Sequence, residues 1–263
     1  MTTSHSGAPE RSVVDRTLSI LGAFDRDNRT LTLTDISRRS GLPVATVHRI
    51  VTKLTGWGAL ERDSDGGYNI GLRLWETAVL APRGSSLAEA AQPHLVELHR
   101  QTSAGATIAI RDGAESVCLS LVTNRTDLAH LHSDPGGRLP LHASSVGLVL
   151  LAHAGEPLRS AVCAGPLPAY TPATITDGAA LGRCLVRIRR EGHALVRNTL
   201  TVGKGGLAVP VRDGRGAIVA AVGAVGPVEL VQPVRLLPHV RAAAEAIARA
   251  VRSGGWRDVE VGT

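Results

Sequence analysis

Several polar side chains stand in arrangements that could carry chemistry. His130 and His132 alternate along a strand-like segment and therefore face one side, and together with His142 they could form a metal-binding triad. Ser144 and Ser145 follow His142 closely, so a hydroxyl nucleophile with a histidine base is a second candidate. Both patterns are incomplete, because no cysteine or carboxylate completes a ligand set and no GxSxG turn presents a nucleophile.

Two other features give still weaker support for a catalytic or ligand-binding role. The segment GKGG at 203–206 has neither the phosphate-loop frame nor GxGxxG spacing and predicts a flexible loop. Cys118 lies in a strand-like run, which favours a small buried hydrophobe over a redox-active thiol. We therefore expect no catalytic residue, no metal and no cofactor. An enzyme with a DNA-binding appendage and a metal or redox sensor are the alternative functions.

DNA recognition is the chemistry that the residues predict best. The segment LTLTDISRRSGLPVATVHRIVTKL at 31–54 reads as two short helices joined by a tight turn. Thr34 is predicted to cap the first helix, Gly41 supplies a left-handed end, and Pro43 can begin the second helix. Apolar residues at i, i+3, i+4 and i+7 from Val47 give that second helix one core face.

The opposite face of the second helix is small and hydrogen-bonding near its start and basic further along, which suits insertion into a DNA major groove. Ala45, Thr46, His48 and Arg49 are predicted at base edges. The candidates near the DNA backbone are Thr32, Thr34, Arg38, Thr52 and Lys53. Arg62 is predicted to place the wing near a phosphate or the minor groove. The full set of predicted DNA contacts is Thr32, Thr34, Arg38, Pro43, Ala45, Thr46, His48, Arg49, Thr52, Lys53 and Arg62.

Composition agrees with a double-stranded DNA partner. The 263 residues carry a formal net charge of +6, whereas aromatic residues make up only 2%, too few for the stacking surfaces of single-strand and RNA binders. The three cysteines form no CxxC pair, which favours a reducing compartment. The longest strongly apolar run, Val146–Ala152, is too short to span a membrane, and nothing resembles a signal peptide. We expect a soluble cytoplasmic protein with no membrane partner.

The order of patterns along the chain predicts two folded domains. Three helices and a β-hairpin form a winged helix-turn-helix whose first helix has a core stripe of Val14, Leu18, Leu21 and Phe24. Short strands and segregated helices in the rear half predict an α+β fold. The predicted boundaries are 1–11 for a disordered N-terminus, 12–70 for the winged helix-turn-helix, 71–85 for a linker helix and loop, 86–254 for the second domain, and 255–263 for a tail.

Taken together, the motifs resemble the IclR family of bacterial transcriptional regulators. The resemblance rests on VDRTLSIL, the 31–54 segment, YNIGLRLWE, RLPLHASSVG, TPATITD and AVPVRDGRGAIVAAVGAVGP, all in the expected order. It implies a winged helix-turn-helix, a linker helix, and a GAF-like or profilin-like α/β domain with an antiparallel sheet that senses a small-molecule effector. It also implies self-association to a dimer or tetramer on pseudo-palindromic operators.

The resemblance places the effector between two segments. Leu141, His142, Ala143, Ser144 and Ser145 would lie on one side, and Gly205, Gly206, Leu207 and Ala208 on the other. Family members usually have acidic residues around 196–199, often a cysteine at 206, and commonly a lysine at 148. Here 196–199 reads Val-Arg-Asn-Thr, and positions 148 and 206 are leucine and glycine. A wider and less acidic pocket is therefore expected.

Overall fold

The structure is a computed structural model that describes residues 12–81, 85–124 and 134–253. The chain divides into two compact units, Met1–Ala81 and Pro82–Thr263. Three predictions lie outside the described residues: the disordered start at 1–11, the tail at 255–263, and the strand that would carry His130 and His132.

The first unit is a winged helix-turn-helix followed by a short helix, as predicted. A buried cluster that includes Ile20, Ile36, Val47 and Leu60 holds its elements together. The wing strands pair antiparallel, with Leu60 opposite Ile70. The elements are α1 (Val13–Leu21), α2 (Leu33–Ser40), α3 (Val44–Trp57), β1 (Leu60–Arg62), β2 (Tyr68–Ile70) and α4 (Leu72–Ala78).

The predicted cap of α2 is wrong, and the predicted core stripe of α1 is wrong for two of its four residues, since Leu21 and Phe24 do pack against the core. Val14 and Leu18 of α1 are 65% and 59% exposed, whereas Ile20 is fully buried, because a nine-residue helix turns a different face toward the core. Thr32, not Thr34, caps α2: the Thr32 hydroxyl accepts the N–H of Asp35, whose carboxylate in turn accepts the N–H of Thr32. This reciprocal pair is a capping box shifted by two residues from the expected start.

The second unit is an α+β domain around one six-stranded antiparallel sheet, in the order β5-β4-β3-β8-β7-β6. Among the described residues, no helix is both long enough and apolar enough to cross a bilayer. The elements are α5 (Ser85–Thr102), β3 (Gly105–Asp112), β4 (Glu115–Val122), β5 (Arg138–Pro140), α6 (Ser145–Ala152), α7 (Glu156–Ala164), α8 (Gly178–Glu191), β6 (Ala194–Arg197), β7 (Lys204–Arg212), β8 (Ile218–Pro227) and α9 (Pro233–Ser253).

Helices cover both faces of this sheet, and strand alternation divides its core into two. Leu207 and Val209 of β7 pack with α5 and α9, whereas Ala208 between them packs with α6 and α8. The α6 face of the sheet carries small side chains, including Ala109, Ala208 and Ala221. Every residue of α6 is buried, which fixes this helix firmly against the sheet.

One helix was not predicted from the sequence. Helix α7 begins after Gly155 and has Pro157 in its first turn, a position that favours a helix start and could have revealed it. It packs against α8 and contributes Leu158 and Val162 to the core under α6.

His153, which ends α6, makes the stability of the second unit depend on pH. Burial lowers the pKa of His153 below its usual 6.5, and the guanidinium groups of Arg212, Arg189 and Arg159 lower it further, against a raising hydrogen bond to Val149 O. At a pH near 6.5 the unfolded chain therefore binds more protons at His153 than the folded chain does. The contribution of neutral His153 to the free energy of unfolding is full at higher pH and declines as pH falls through about 6.5.

We expect a lower free energy of unfolding at about pH 5.5 than at about pH 7.5, measured by urea titration of the full chain. His153→Gln cannot take up the proton, so its stability should change less over the same interval. An equal decline in both proteins would show that another group is responsible.

Candidate DNA interface and effector cleft

The turn between α2 and α3 is set by local backbone chemistry. Gly41 has φ of 69°, the left-handed conformation that glycine adopts without strain, and its N–H bonds to Ser37 O. The Ser37 hydroxyl donates to Leu42 O at 2.6 Å, which closes the turn. Pro43 precedes the first turn of α3, and Val47, Ile50 and Val51 bury the inner face of that helix.

The outer face of α3 is largely exposed. Ala45, His48, Arg49 and Lys53 are exposed, and Thr46 is half-buried. Thr52 is exposed as well, although its hydroxyl donates to His48 O at 2.8 Å and is therefore bound to its own helix. The predicted recognition residues thus form one continuous polar and basic surface.

The predicted contacts on α2 are partly engaged within the protein. The Thr32 hydroxyl donates to Asp35 Oδ2 at 2.6 Å, and this hydrogen bond is the main cause that lowers the pKa of Asp35. Arg38 forms an ion pair with Asp35 at 2.9 Å, with its own side chain 77% exposed. Thr34 is exposed on the same helix.

Arg62 of the wing lies over the ring of Tyr68, with 5.7 Å from the guanidinium carbon to the ring centroid. Its Nε also donates to Gly66 O at 3.4 Å, so the side chain is directed along the hairpin. The hairpin turn is held by Asp63, whose Oδ1 accepts the N–H of Gly67 at 2.7 Å. Arg62 therefore lies beside a hairpin turn that is stabilised by hydrogen bonds.

A clamp between the end of α3 and the start of α4 was not predicted. Arg73 of α4 lies over the ring of Trp57, the last residue of α3, at 4.8 Å. Glu61 Oε1 accepts the N–H of Leu72 at 2.8 Å and so caps α4 from the neighbouring strand. Gly71 fits closely, because a Cβ there would lie 2.2 Å from Gly58 O. Sequence patterns do not show such contacts between side chains of different elements.

In the second unit, a cleft opens at the start of α6. The Ser144 hydroxyl accepts the N–H of Gly147 at 3.1 Å and donates to Pro140 O at 2.9 Å, which ties α6 to the end of β5. Thr199, in the loop after β6, donates to Ala143 O at 2.6 Å across the cleft. The walls are thus joined by specific hydrogen bonds.

The cleft is mostly apolar, with a few polar groups and one cation. Its cavity volume is about 50 Å³, and all the space between its walls, open solvent included, amounts to about 500 Å³. Its lining includes the hydroxyl groups of Ser145 and Thr199 and the ammonium group of Lys204. The lining residues are Thr107, Leu139, Ala143, Ser144, Ser145, Val146, Val196, Thr199, Leu200, Thr201, Lys204, Gly205, Gly206 and Val225.

Of the nine effector residues implied by the resemblance, five line this cleft and four do not. Leu141 and His142 line a separate cavity beside α7 and Tyr170, because the chain turns between β5 and α6. Leu207 and Ala208 are fully buried in the two cores of the sheet. No local sequence pattern predicts Thr107, Leu139 or Val225, which reach the cleft from other strands.

Glycine at position 206 shapes the cleft. A Cβ at 206 would lie 2.6 Å from Ser145 Oγ, so only glycine leaves the serine hydroxyl its present place. At Asn198, a positive φ of 59° directs the β6–β7 loop, and its Oδ1 accepts the N–H of Gly203 at 2.7 Å. Gly206 and Asn198 depart from the expected family pattern, and each fits its local contacts: Gly206 leaves room for the Ser145 hydroxyl, and Asn198 holds the loop through Gly203.

Comparison with known proteins identifies the fold and its function. The family described as "Bacterial transcriptional regulator IclR C-terminal" matches residues 81–251, and "IclR helix-turn-helix domain" matches residues 13–64. The chain belongs to the IclR family. Its α+β fold with an N-terminal winged helix-turn-helix is that of the family, and it is a ligand-responsive transcriptional regulator, not an enzyme.

Named IclR relatives are similar over most of the chain. The HTH-type transcriptional regulator XynR of Escherichia coli K12 is 32% identical over 210 residues, covering 79% of this chain and 83% of XynR. BhcR of Paracoccus denitrificans is 34% identical over 236 residues, covering 89% and 84%.

Among solved structures, an IclR homolog from Microbacterium hydrocarbonoxydans complexed with 4-hydroxybenzoate is 35% identical, with a TM-score of 0.85. The match covers 92% of this chain and 100% of that chain. A putative regulator from Rhodococcus sp. RHA1 is 27% identical, with a TM-score of 0.77 and coverage of 90% and 97%.

The groups that the alternative functions would need are not assembled in the described part of this IclR chain. His142 Nε2 lies 3.0 Å from Pro168 O, and the Ser144 hydroxyl is occupied by Pro140 and Gly147. Across residues 12–81, 85–124 and 134–253, no three His, Cys, Asp or Glu side chains are placed to hold a metal. Cys118 is 1% exposed, and its Sγ bonds to Ser120 O.

Proposed function

We propose that this IclR regulator works in the cytoplasm and binds a pseudo-palindromic operator as a dimer or a dimer of dimers, with the outer face of α3 in the major groove. The observation that carries this proposal is the exposed surface of Ala45, His48, Arg49 and Lys53 on a helix whose inner face is buried. A short side chain at Ala45 permits close approach, and Arg49 can bond two acceptors of guanine.

The other candidates on the first unit support the same placement. Lys53 and Arg38 are exposed cations for phosphate contacts, and Arg62 extends the basic surface to the wing. Thr32 and Thr52 hold intramolecular hydrogen bonds, so their hydroxyls would contact DNA only as acceptors or after rearrangement. Thr34, Pro43 and Thr46 complete the proposed interface.

Exposed apolar side chains on α1 and α4 support dimerisation. Val13, Val14 and Leu18 are at least 59% exposed on α1, and Leu72 and Trp75 are 60% exposed on α4. Large apolar surfaces are unfavourable in water and mark interfaces. One recognition helix makes few base contacts, and a two-fold arrangement doubles them on an inverted repeat.

Selection of bound duplexes from a random pool by the full-length protein tests this proposal. We expect enrichment of an inverted repeat whose half-sites lie about one helical turn apart or a multiple of it. A single asymmetric motif would contradict the dimer, and no enrichment at all would contradict the DNA interface.

For the effector we propose a small organic carboxylate that carries an aromatic or other compact apolar group. The apolar walls suit the body of such a molecule, whereas Lys204, the Ser145 hydroxyl and the start of α6 suit its negative charge. The ligand 4-hydroxybenzoate in the similar Microbacterium protein belongs to this class. A ligand changes DNA affinity only through its different affinity for the two states, typically about 1–3 kcal/mol of coupling.

Gly206→Val is expected to weaken the ligand response, because the added side chain would displace Ser145 Oγ and narrow the cleft. The probe is 4-hydroxybenzoate, titrated into the protein bound to its selected duplex, with DNA affinity as the measurement. The variant should bind DNA like wild type and need at least about tenfold more ligand for the same change.

Val202→Ala is the matched control, because Val202 is 71% exposed near the same loop and does not line the cleft. It should respond like wild type. An unchanged response of the folded Gly206→Val protein would place the effector elsewhere. If 4-hydroxybenzoate and other small carboxylates leave wild-type DNA affinity unchanged, the proposed ligand class is wrong.

A further inference from the structure

Positive charge is concentrated in the second unit and not in the unit that binds DNA. Residues 1–81 contain 10 Lys and Arg and 9 Asp and Glu, whereas residues 82–263 contain 19 and 14. Between positions 183 and 252 there are 12 Lys and Arg and only 4 Asp and Glu. Such a local excess attracts anions, and DNA recognition by α3 does not account for it.

Four of these twelve cationic residues line a cavity of about 560 Å³ between α9 and β7, at the end of α8. We name it the arginine cleft. Val209, Pro210, Ala244 and Ala248 give it an apolar floor, and Glu245 is the one acidic residue among its lining. The remaining lining residues are Gly192, Arg212, Arg241, Arg249 and Arg252. It shares no lining residue with the effector cleft.

The backbone positions these arginines. A register shift in the pairing of β7 with β8 falls between Val211 and Arg212, and such bulges redirect side chains at sites. Arg212 donates one N–H to Gly216 O at 3.0 Å, and Arg241 donates one to Glu191 O at 3.2 Å. A guanidinium has five N–H groups, so each of these two is held in place and keeps donors for a ligand.

We propose that the arginine cleft is a second ligand site, for a small organic phosphate. Planar guanidinium groups match phosphate oxygens in paired hydrogen bonds, and four of them can balance the charge of a phosphate ester. The apolar floor gives contact area to the organic part, and the volume is in the usual range for small-molecule sites, about 300–1,000 Å³. Free phosphate shares the charge chemistry but would leave the apolar floor unused.

The test is calorimetric titration of the full-length protein with three probes: adenosine monophosphate, inorganic phosphate and adenosine. We expect adenosine monophosphate to bind at least about tenfold more tightly than either of the others, because only it uses both the arginines and the floor. Arg249→Gln/Arg252→Gln should weaken this binding at least about tenfold, and Arg212→Gln from the opposite wall should weaken it as well.

Arg183→Gln/Arg187→Gln removes the same charge from exposed positions of α8 outside the cleft, and it should bind adenosine monophosphate like wild type. Equal loss in this control, or binding of the ester no tighter than of free phosphate, would overturn the proposal. The proposal would also be overturned if the arginine variants changed the oligomeric state, measured by light scattering, while their affinity for adenosine monophosphate stayed unaltered. The response to 4-hydroxybenzoate, measured separately, does not depend on this result.

Discussion

Replacing Arg49 by alanine is expected to weaken binding to the selected operator by about 5- to 150-fold and to relax its sequence specificity. A bidentate contact from arginine to guanine contributes about 1–3 kcal/mol of discrimination, which corresponds to that range. Arg49 is exposed on the outer face of α3, and its removal leaves the buried inner face of Val47, Ile50 and Val51 intact. The measurement is fluorescence anisotropy with the selected duplex and with a scrambled duplex.

Lys53→Ala is the comparison variant, because it removes one positive charge from the same exposed face. A phosphate contact carries no sequence information, so both duplexes should lose affinity to a similar extent and the salt dependence should decrease by about one unit of slope. If Arg49→Ala instead weakened both duplexes equally, Arg49 would be a phosphate contact. Unchanged affinity for the operator would remove it from the interface.

Gly147→Ala is expected to destabilise the second unit by about 1–3 kcal/mol or more, the range for overpacking of a close-packed interior. A Cβ at position 147 would lie 2.7 Å from both Pro140 O and Leu141 Cα, and 2.5 Å from Ser144 Oγ. Backbone atoms cannot move aside as a flexible side chain does, so α6 would have to shift away from β5. The shift would also break the Ser144 cap at the cleft.

Urea unfolding of the full-length protein, with hydrogen exchange read at 139–152, measures this effect. Gly182→Ala in α8 is the control, because a Cβ there meets nothing within 4 Å and alanine favours a helix interior by about 1 kcal/mol over glycine. The control should be as stable as wild type or more so. Equal stability of the two variants would show that α6 tolerates displacement from β5.

The DNA-binding unit was predictable because its signals are local in sequence. The turn is determined by Gly41 and Pro43, and the buried face of α3 by the periodic core residues from Val47. Each of these signals extends over only one or two helical turns, so it can be recognised in the sequence. The first helix shows the limit of such patterns. It has apolar residues on two faces, and only packing against the rest of the unit decides that Ile20 goes inward and Leu18 outward.

The candidate effector cleft was only half predictable, for a related reason. Ala143 to Ser145 and Gly205 to Gly206 are recognisable because helix starts and glycines have a local signature. Thr107, Val196 and Val225 come from three different strands and meet only when the sheet order is known. The alternation of side chains along β7 likewise decides that Leu207 and Ala208 point into the cores.

The clamp formed by Trp57 with Arg73 and by Glu61 with Leu72 has a practical consequence for building hybrid regulators. Because α4 is held by the last turn of α3 and by the wing, a graft of this DNA-reading module onto a foreign sensor should carry α4 along. A junction placed beyond Ala78 keeps those contacts within the donor sequence. A junction at Gly71 would remove Leu72 and Arg73, so a foreign helix would pack beside α3 without the arginine that stacks on Trp57.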